Sequence, residues 1–132
     1  MMKITLEDFK SSLYKERRAL AKLAEVAPDV CEQVAPIIFK IRIQEKDAIY
    51  ARNIYCDEYN STSAIEDAAW LQLALKRAIE YKSWFYEMSF WSYDNKPRYR
   101  VRISNTNVVV VDDNSEAAAL LAAFIEALEG ER

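Results

Sequence analysis

The stretch Trp84-Phe85-Tyr86-Glu87-Met88-Ser89-Phe90-Trp91-Ser92-Tyr93, then Asp94-Asn95-Lys96-Pro97, then Arg98-Tyr99-Arg100-Val101-Arg102-Ile103-Ser104, is where the apolar period changes from helical to two. Trp84, Tyr86, Met88 and Phe90 fall on one side of an extended chain, and Phe85, Glu87, Ser89 and Trp91 on the other. Asp94 to Pro97 has turn composition. Tyr99, Val101 and Ile103 alternate with Arg98, Arg100 and Arg102, which predicts a strand paired with 84–93 as a hairpin and lying second or central in a meander. Asn105-Thr106-Asn107 turns again, and the β-branched run Val108 to Val111 predicts a third strand.

Helices flank this meander. Upstream, Ser63 and Glu66 form a capping box. Ile65, Ala68/Ala69, Leu71, Leu75 and Ala78/Ile79 recur at helical spacing to about Ser83. Downstream, Asp112-Asp113-Asn114-Ser115 caps a last helix, with Glu116 favouring its dipole. Ala117, Leu120/Leu121, Phe124/Ile125 and Leu128 form its apolar face, and Gly130 is read as the C′ residue.

Further toward the N-terminus, Thr5 reads as an N-cap, Asp8 as its capping-box partner, and Ile4 with Phe9 as a hydrophobic staple. The apolar stripe runs through Leu6, Phe9, Leu13, Leu20 and Leu23/Ala24 to about Val26, and Pro28 ends the helix. Residues 29–58 are read as a second helix, with Asp29 and Glu32 as a cap pair and Pro36 as a kink or restart. Phe39 to Gln44 also alternates, so a short strand is the alternative. Helix is preferred because Gln44 to Asn53 carries no turn signal. Tyr59-Asn60-Ser61-Thr62-Ser63 is read as a hinge. The expected fold is α+β: an N-terminal helical arm over 1–60, then an α-β-β-β-α domain over 61–132, or one continuous domain. No internal repeat or low-complexity segment is apparent.

Composition excludes several chemistries. The 132 residues contain no histidine, which removes histidine general-base catalysis, Ser-His and Cys-His nucleophile pairs and the commonest metal ligand. Gly130 is the single glycine, so a phosphate-cradling glycine loop cannot be built. Cys31 and Cys56 are too far apart for a C-x-x-C site and are expected to be reduced, partly buried thiols. No apolar signal-like segment opens the chain, and the longest apolar run, Ala117 to Ile125, is about half a bilayer span. The expected location is cytoplasmic. Net charge is −3. Residues 61–104 carry seven Lys/Arg against five Asp/Glu, and residues 105–132 one against six, so a basic hairpin precedes an acidic tail.

Two resemblances follow from the second half. Its element order is similar to that of the double-stranded-RNA-binding domain, whose last helix opens on phosphate-clamping lysines. Here that place reads Asp112-Asp113-Asn114-Ser115-Glu116, which repels phosphate. Residues 59–129 resemble the small phage-encoded ABA-sandwich domains. The resemblance is carried by Tyr59-Asn60-Ser61-Thr62, Ala68-Ala69-Trp70, Trp91-Ser92-Tyr93, Tyr99-Arg100-Val101, Val110-Val111-Asp112 and the alanine-rich stretch Glu116 to Leu128. That family has no established activity, so the resemblance implies a phage or prophage accessory protein.

Among candidate site residues, the carboxylate pairs Asp57/Glu58, Glu66/Asp67 and Asp112/Asp113 lie at expected helix ends, where capping explains the last two. Tyr50, Tyr55, Tyr59 and Cys56 read as packing residues. No catalytic residue, cofactor site or metal site is assigned. The expected partner-binding residues are Arg98, Arg100 and Arg102, with Phe85 and Trp91 if those rings stand exposed rather than buried between helices. Arginine offers fixed donors and stacks on rings, which suits an acidic or phosphate-bearing surface. The competing explanation is a solvated strand face, with Glu87 pairing across the hairpin or the arginines protecting a sheet edge. The expected function is non-enzymatic protein–protein binding by a phage-type accessory protein. Its most concrete form is an inhibitor of a host nuclease or defence complex. The alternative is nucleic-acid binding by the basic aromatic hairpin. A homodimer is expected through the first two helical stretches, because Ile37, Ile38, Ile41, Ile43, Ile49 and Ile54 would point around most of a helix.

Overall fold

The computed structural model of the chain describes residues 16–56, 64–105, 108–113 and 115–131. Helix α1 spans Arg17–Val26, strand β1 Cys31–Ala35, β2 Ile38–Gln44 and β3 Ile49–Tyr55. Helix α2 then spans Ala64–Tyr81, β4 Phe85–Tyr93, β5 Lys96–Ser104, β6 Val108–Asp113 and helix α3 Glu116–Gly130. The described residues thus form an α+β fold with two separate three-stranded antiparallel sheets, ordered β1-β2-β3 and β4-β5-β6.

The α-β-β-β-α order expected for the second half is present. The expected helix over 29–58 is not: residues 31–55 form a β-meander. Burial in β2 alternates strictly, with Phe39, Ile41 and Ile43 inward and Lys40, Arg42 and Gln44 less buried. That is the two-residue period of a half-buried strand. Pro36-Ile37 makes the tight β1–β2 connection beside a bulge between Gln33 and Ala35. The β2–β3 connection runs through Glu45 to Ala48, closed by Glu45 N–H donating to Ala48 O at 2.9 Å. It contains neither glycine nor proline. Ile41, Ile43 and Ile54 are therefore buried inside the chain, whereas Ile49 is 64% exposed on β3. The six isoleucines that motivated a dimer through this region lie on strands, or for Ile37 in the β1–β2 turn, and not around a helix.

The first helix ends as expected, at Ala27 before Pro28. Its expected cap and staple at Ile4, Thr5, Asp8 and Phe9 lie outside the described residues, as do the Ser63 cap and the hinge 59–63. Helix α2 packs on β2 and on α3. Helix α3 packs on β5, β6 and α1, and α1 packs on β1. One apolar cluster runs through all of these, from Leu20 and Leu23 through Phe39, Ile41 and Ile54 to Leu71, Leu75, Val101, Ile103, Leu121 and Phe124. The order β-β-β-α occurs twice in succession, although the sequence shows no repeat.

Turn chemistry is managed without glycine. Asp94 and Asn95 hold φ of 52° and 60°, the left-handed pair that a two-residue type I′ hairpin needs. Ser83, φ 61°, ends α2 in a Schellman motif. Its N–H donates to Glu80 O at 3.0 Å and the Trp84 N–H to Ile79 O at 3.2 Å. Gly130, by contrast, is the last residue of α3 and has no positive φ, which corrects its reading as a left-handed C′ residue. Ser115 caps α3 as expected, accepting from the Ala118 N–H at 3.3 Å.

Candidate functional site

Helix α3 covers only one side of the β4-β5-β6 sheet. Tyr99, Val101 and Ile103 of β5 face it, together with Tyr86 and Met88 of β4 and Val109 and Val111 of β6. Among the described residues nothing packs on the other side. Strand pleating sends Lys96, Arg98, Arg100 and Arg102 to that open face, a cationic column about 20 Å long. Phe85, Glu87, Ser89 and Trp91 flank it from β4, and Val108 and Val110 from β6.

The five expected partner-binding residues therefore share one surface. Registry places Trp91 beside Arg98, Ser89 beside Arg100, Glu87 beside Arg102 and Phe85 beside Ser104. The Arg100 guanidinium lies over the Trp91 ring, 5.1 Å from its centroid, a cation–π arrangement that holds the planar donor group against the sheet. Arg102 Nη1 is 4.0 Å from Glu87 Oε2, with both side chains mostly exposed, so that pair is screened and weak. Phe85 is 78% exposed, and Val108 and Val110 are more than half exposed. Trp91 is half-buried. Because β5 is the central strand, the arginines do not protect a sheet edge. That explanation for their alternation falls away, while pairing with Glu87 stands.

Elsewhere, the carboxylates are structural where they are described. Asp67, 2% exposed, accepts from Arg52 Nε at 2.8 Å, and Glu66 accepts from Arg52 Nη2 at 3.3 Å. These bonds raise the Arg52 pKa further and tie β3 to the first turn of α2. Sequence reading gave Glu66 and Asp67 to capping and missed Arg52. A lone charge in the run Ile49-Tyr50-Ala51-Arg52-Asn53-Ile54-Tyr55 was its only signal. Trp70 Nε1 donates to Ile41 O at 3.0 Å and pins α2 over β2. Asp113 accepts from the Ser115 N–H at 3.2 Å, and Asp57/Glu58 lie outside the described residues. No group of three metal-ligating side chains occurs among the described residues. Tyr50 and Tyr55 are exposed on β3 rather than packed, and Tyr59 lies outside the described residues.

Cys31 and Cys56 are free and fully buried. Burial, above all, pushes each thiol up to about 12, so both remain neutral and inert at physiological pH. A cleft of about 190 Å³ opens beside Val30, Ala78, Lys82, Phe124 and Leu128, below the usual volume of a small-molecule site. No described helix is long and apolar enough to cross a membrane. No protein-family model matches the sequence, and comparison with curated proteins gives no match.

Proposed function

We propose that the protein works by binding, and that its working surface is the open face of the β4-β5-β6 sheet, docked on a carboxylate-rich surface of another protein. The observation that carries this reading is the arginine column on an uncovered central strand, bordered by Phe85 and Trp91. Guanidinium groups present a fixed fork of donors matched to carboxylates. Exposed rings and valines beside them supply apolar contact, and Arg and aromatic residues together dominate interface energetics. Stacking two copies face to face would oppose the two cationic columns, so the partner of this face is not a second copy. The phage-type accessory role implied by the ABA-sandwich resemblance fits a protein of this kind. An inhibitor of a nuclease or defence complex acting through this face would have to dock on an acidic region of its target, since a basic substrate groove would repel it.

The test uses poly-glutamate and matched single- and double-stranded oligonucleotides as probes of wild-type protein and of Arg98→Gln/Arg100→Gln/Arg102→Gln. The expected result is salt-sensitive binding of poly-glutamate that the triple variant loses. Retention of nucleic acid by these arginines, with no affinity for poly-glutamate, would put the nucleic-acid reading in its place. Equal behaviour of wild type and variant toward every probe would remove this face from consideration.

A further inference from the structure

We propose that β4 is the seam of a twofold homodimer, pairing antiparallel through its free edge with β4 of a second copy. The inference does not rest on the acidic-partner reading, although it would place two arginine columns on one continuous face.

The hairpin geometry shows which backbone groups are free. A two-residue hairpin closes on its hydrogen-bonded pair, here Tyr93 with Lys96. Bonding to β5 therefore belongs to residues 85, 87, 89, 91 and 93. Pro97 agrees: it lies opposite Ser92, at a position that needs no N–H. The N–H and C=O groups of Tyr86, Met88, Phe90 and Ser92 consequently point out of the sheet, and among the described residues no strand lies beyond them.

This edge lacks the usual protection. Natural edges carry proline, lysine, a bulge or a very short strand. Strand β1 has five residues and a bulge, and β6 has six residues and ends on Asp112-Asp113. Strand β3 has seven residues and includes Arg52 and Asn53. Strand β4 has nine residues, no proline, lysine or glycine, and an unbroken register. Its exposed rings fit the same conclusion. Phe90 lies on the helix-covered side against Tyr99, with ring centroids 5.1 Å apart, yet is 52% exposed because no described strand flanks β4. Phe85 on the open side is barer still.

The edge is also self-complementary. Antiparallel pairing about a twofold axis at Met88 uses the free backbone groups. It sets Tyr86 of one copy against Phe90 of the other, Phe85 against Trp91, and Glu87 against Ser89. Glu87 is the single charged residue of β4 and stands opposite Ser89, so no like charges are directly opposed. The two Glu87 carboxylates are diagonal neighbours about 7–8 Å apart, each with an Arg102 beside it on β5. The arginine columns stand one strand back on each side, three strand spacings or about 14 Å apart, beyond the screening length at physiological salt. A second copy is thus accepted at this edge although it is repelled at the face.

The experiment is sedimentation equilibrium of the whole chain from low micromolar to sub-millimolar concentration, with amide exchange by NMR on the same samples. The wild type should reach twice its 15.3 kDa chain mass, with the amides of Tyr86, Met88 and Phe90 protected in proportion to dimer. Phe90→Lys puts a charge against Tyr86 of the other copy at a half-exposed position. It should raise the dimer dissociation constant at least about tenfold, whereas Val110→Lys on β6 should not. A monomer throughout overturns the proposal. So does a dimer whose three edge amides exchange freely, or one that folded Phe90→Lys leaves intact. Should Phe90→Lys fail to fold, wild-type amide protection decides. The poly-glutamate assay reads the face alone, so either proposal can fail without the other.

Discussion

Replacing Arg98, Arg100 and Arg102 together by glutamine should destabilise the protein far less than emptying a core position, because the contacts described for these side chains lie on the exposed side of the sheet. The stacking of Arg100 on Trp91 at an exposed site is worth about 0.5–1 kcal/mol. The Arg102–Glu87 pair, at 4.0 Å and largely solvated, contributes at the low end of about 0.2–1 kcal/mol. Backbone pairing of β5 is untouched, and relief of repulsion along the column offsets part of the loss. These two contacts sum to about 0.7–1.2 kcal/mol before that relief. Ile103, on the opposite side of the same strand and fully buried, supplies the comparison: Ile103→Ala should cost about 2–5 kcal/mol. Glutamine is preferred to charge reversal, since an acidic side chain at 102 would face Glu87 and add a penalty unrelated to the question. Urea unfolding followed by tryptophan fluorescence and circular dichroism measures both variants on one scale. A triple variant as unstable as Ile103→Ala would refute the reasoning and make the column part of the scaffold. A stable triple variant that no longer binds poly-glutamate identifies a surface kept for contact.

Arg52→Met, which takes the guanidinium away from the buried Asp67 carboxylate, should cost about 3 kcal/mol, the low end for halving a buried pair because Arg52 is about one-third exposed. The double variant Arg52→Met/Asp67→Leu should recover most of that in the same urea titration, and a single variant within about 0.5 kcal/mol of wild type would contradict it. Ser83→Gly should stabilise by about 0.5–1 kcal/mol, seen as a higher melting temperature, because φ 61° strains any residue with a Cβ. Both buried thiols are raised from 9.0 to about 12. Their contribution to stability is complete below pH 9 and lost as the pH rises toward 12, because the unfolded chain ionises first. Cys31→Ala/Cys56→Ala should flatten that alkaline fall, and an unchanged slope would assign it to other groups.

The second half of the fold was legible because each strand there signals itself twice, by alternation and by a turn. Asp94-Asn95 and Asn105-Thr106-Asn107 are residue types that tolerate tight turns, and Tyr99-Arg100-Val101-Arg102-Ile103 alternates without interruption. The first meander was misread for the complementary reason. Glu45-Lys46-Asp47-Ala48 turns the chain with residues equally at home in a helix, and no positive φ there demands glycine or asparagine. Ile37, Ile38 and Ile41 match a helical spacing by coincidence, whereas Phe39, Ile41 and Ile43 carry the actual period. At the candidate site, alternation along each strand together with the short turn at Asp94-Asn95, which sets the register, places the five named residues on one face. That no described residue covers the face and that β5 is central depend on where α3 packs, which no local pattern encodes. The Arg52–Asp67 tie was invisible for a similar reason, since it joins residues across a connection of unpredictable course.

Because each sheet is a meander of sequence neighbours followed by its own helix, most strand contacts close short loops. Ala35 pairs with Ile38, Gln44 with Ile49, Tyr93 with Lys96 and Ser104 with Val108. Low separation of contacting residues favours fast folding. A chain leaving the ribosome is expected to have its first sheet and α2 outside before β4 has fully emerged. The contact of α3 with α1 joins opposite ends of the chain and must wait for the last residues to emerge. The aromatic edge of β4 is therefore made into a strand before α3 has closed over its sheet, which is the interval in which an unprotected edge meets whatever other strand is near.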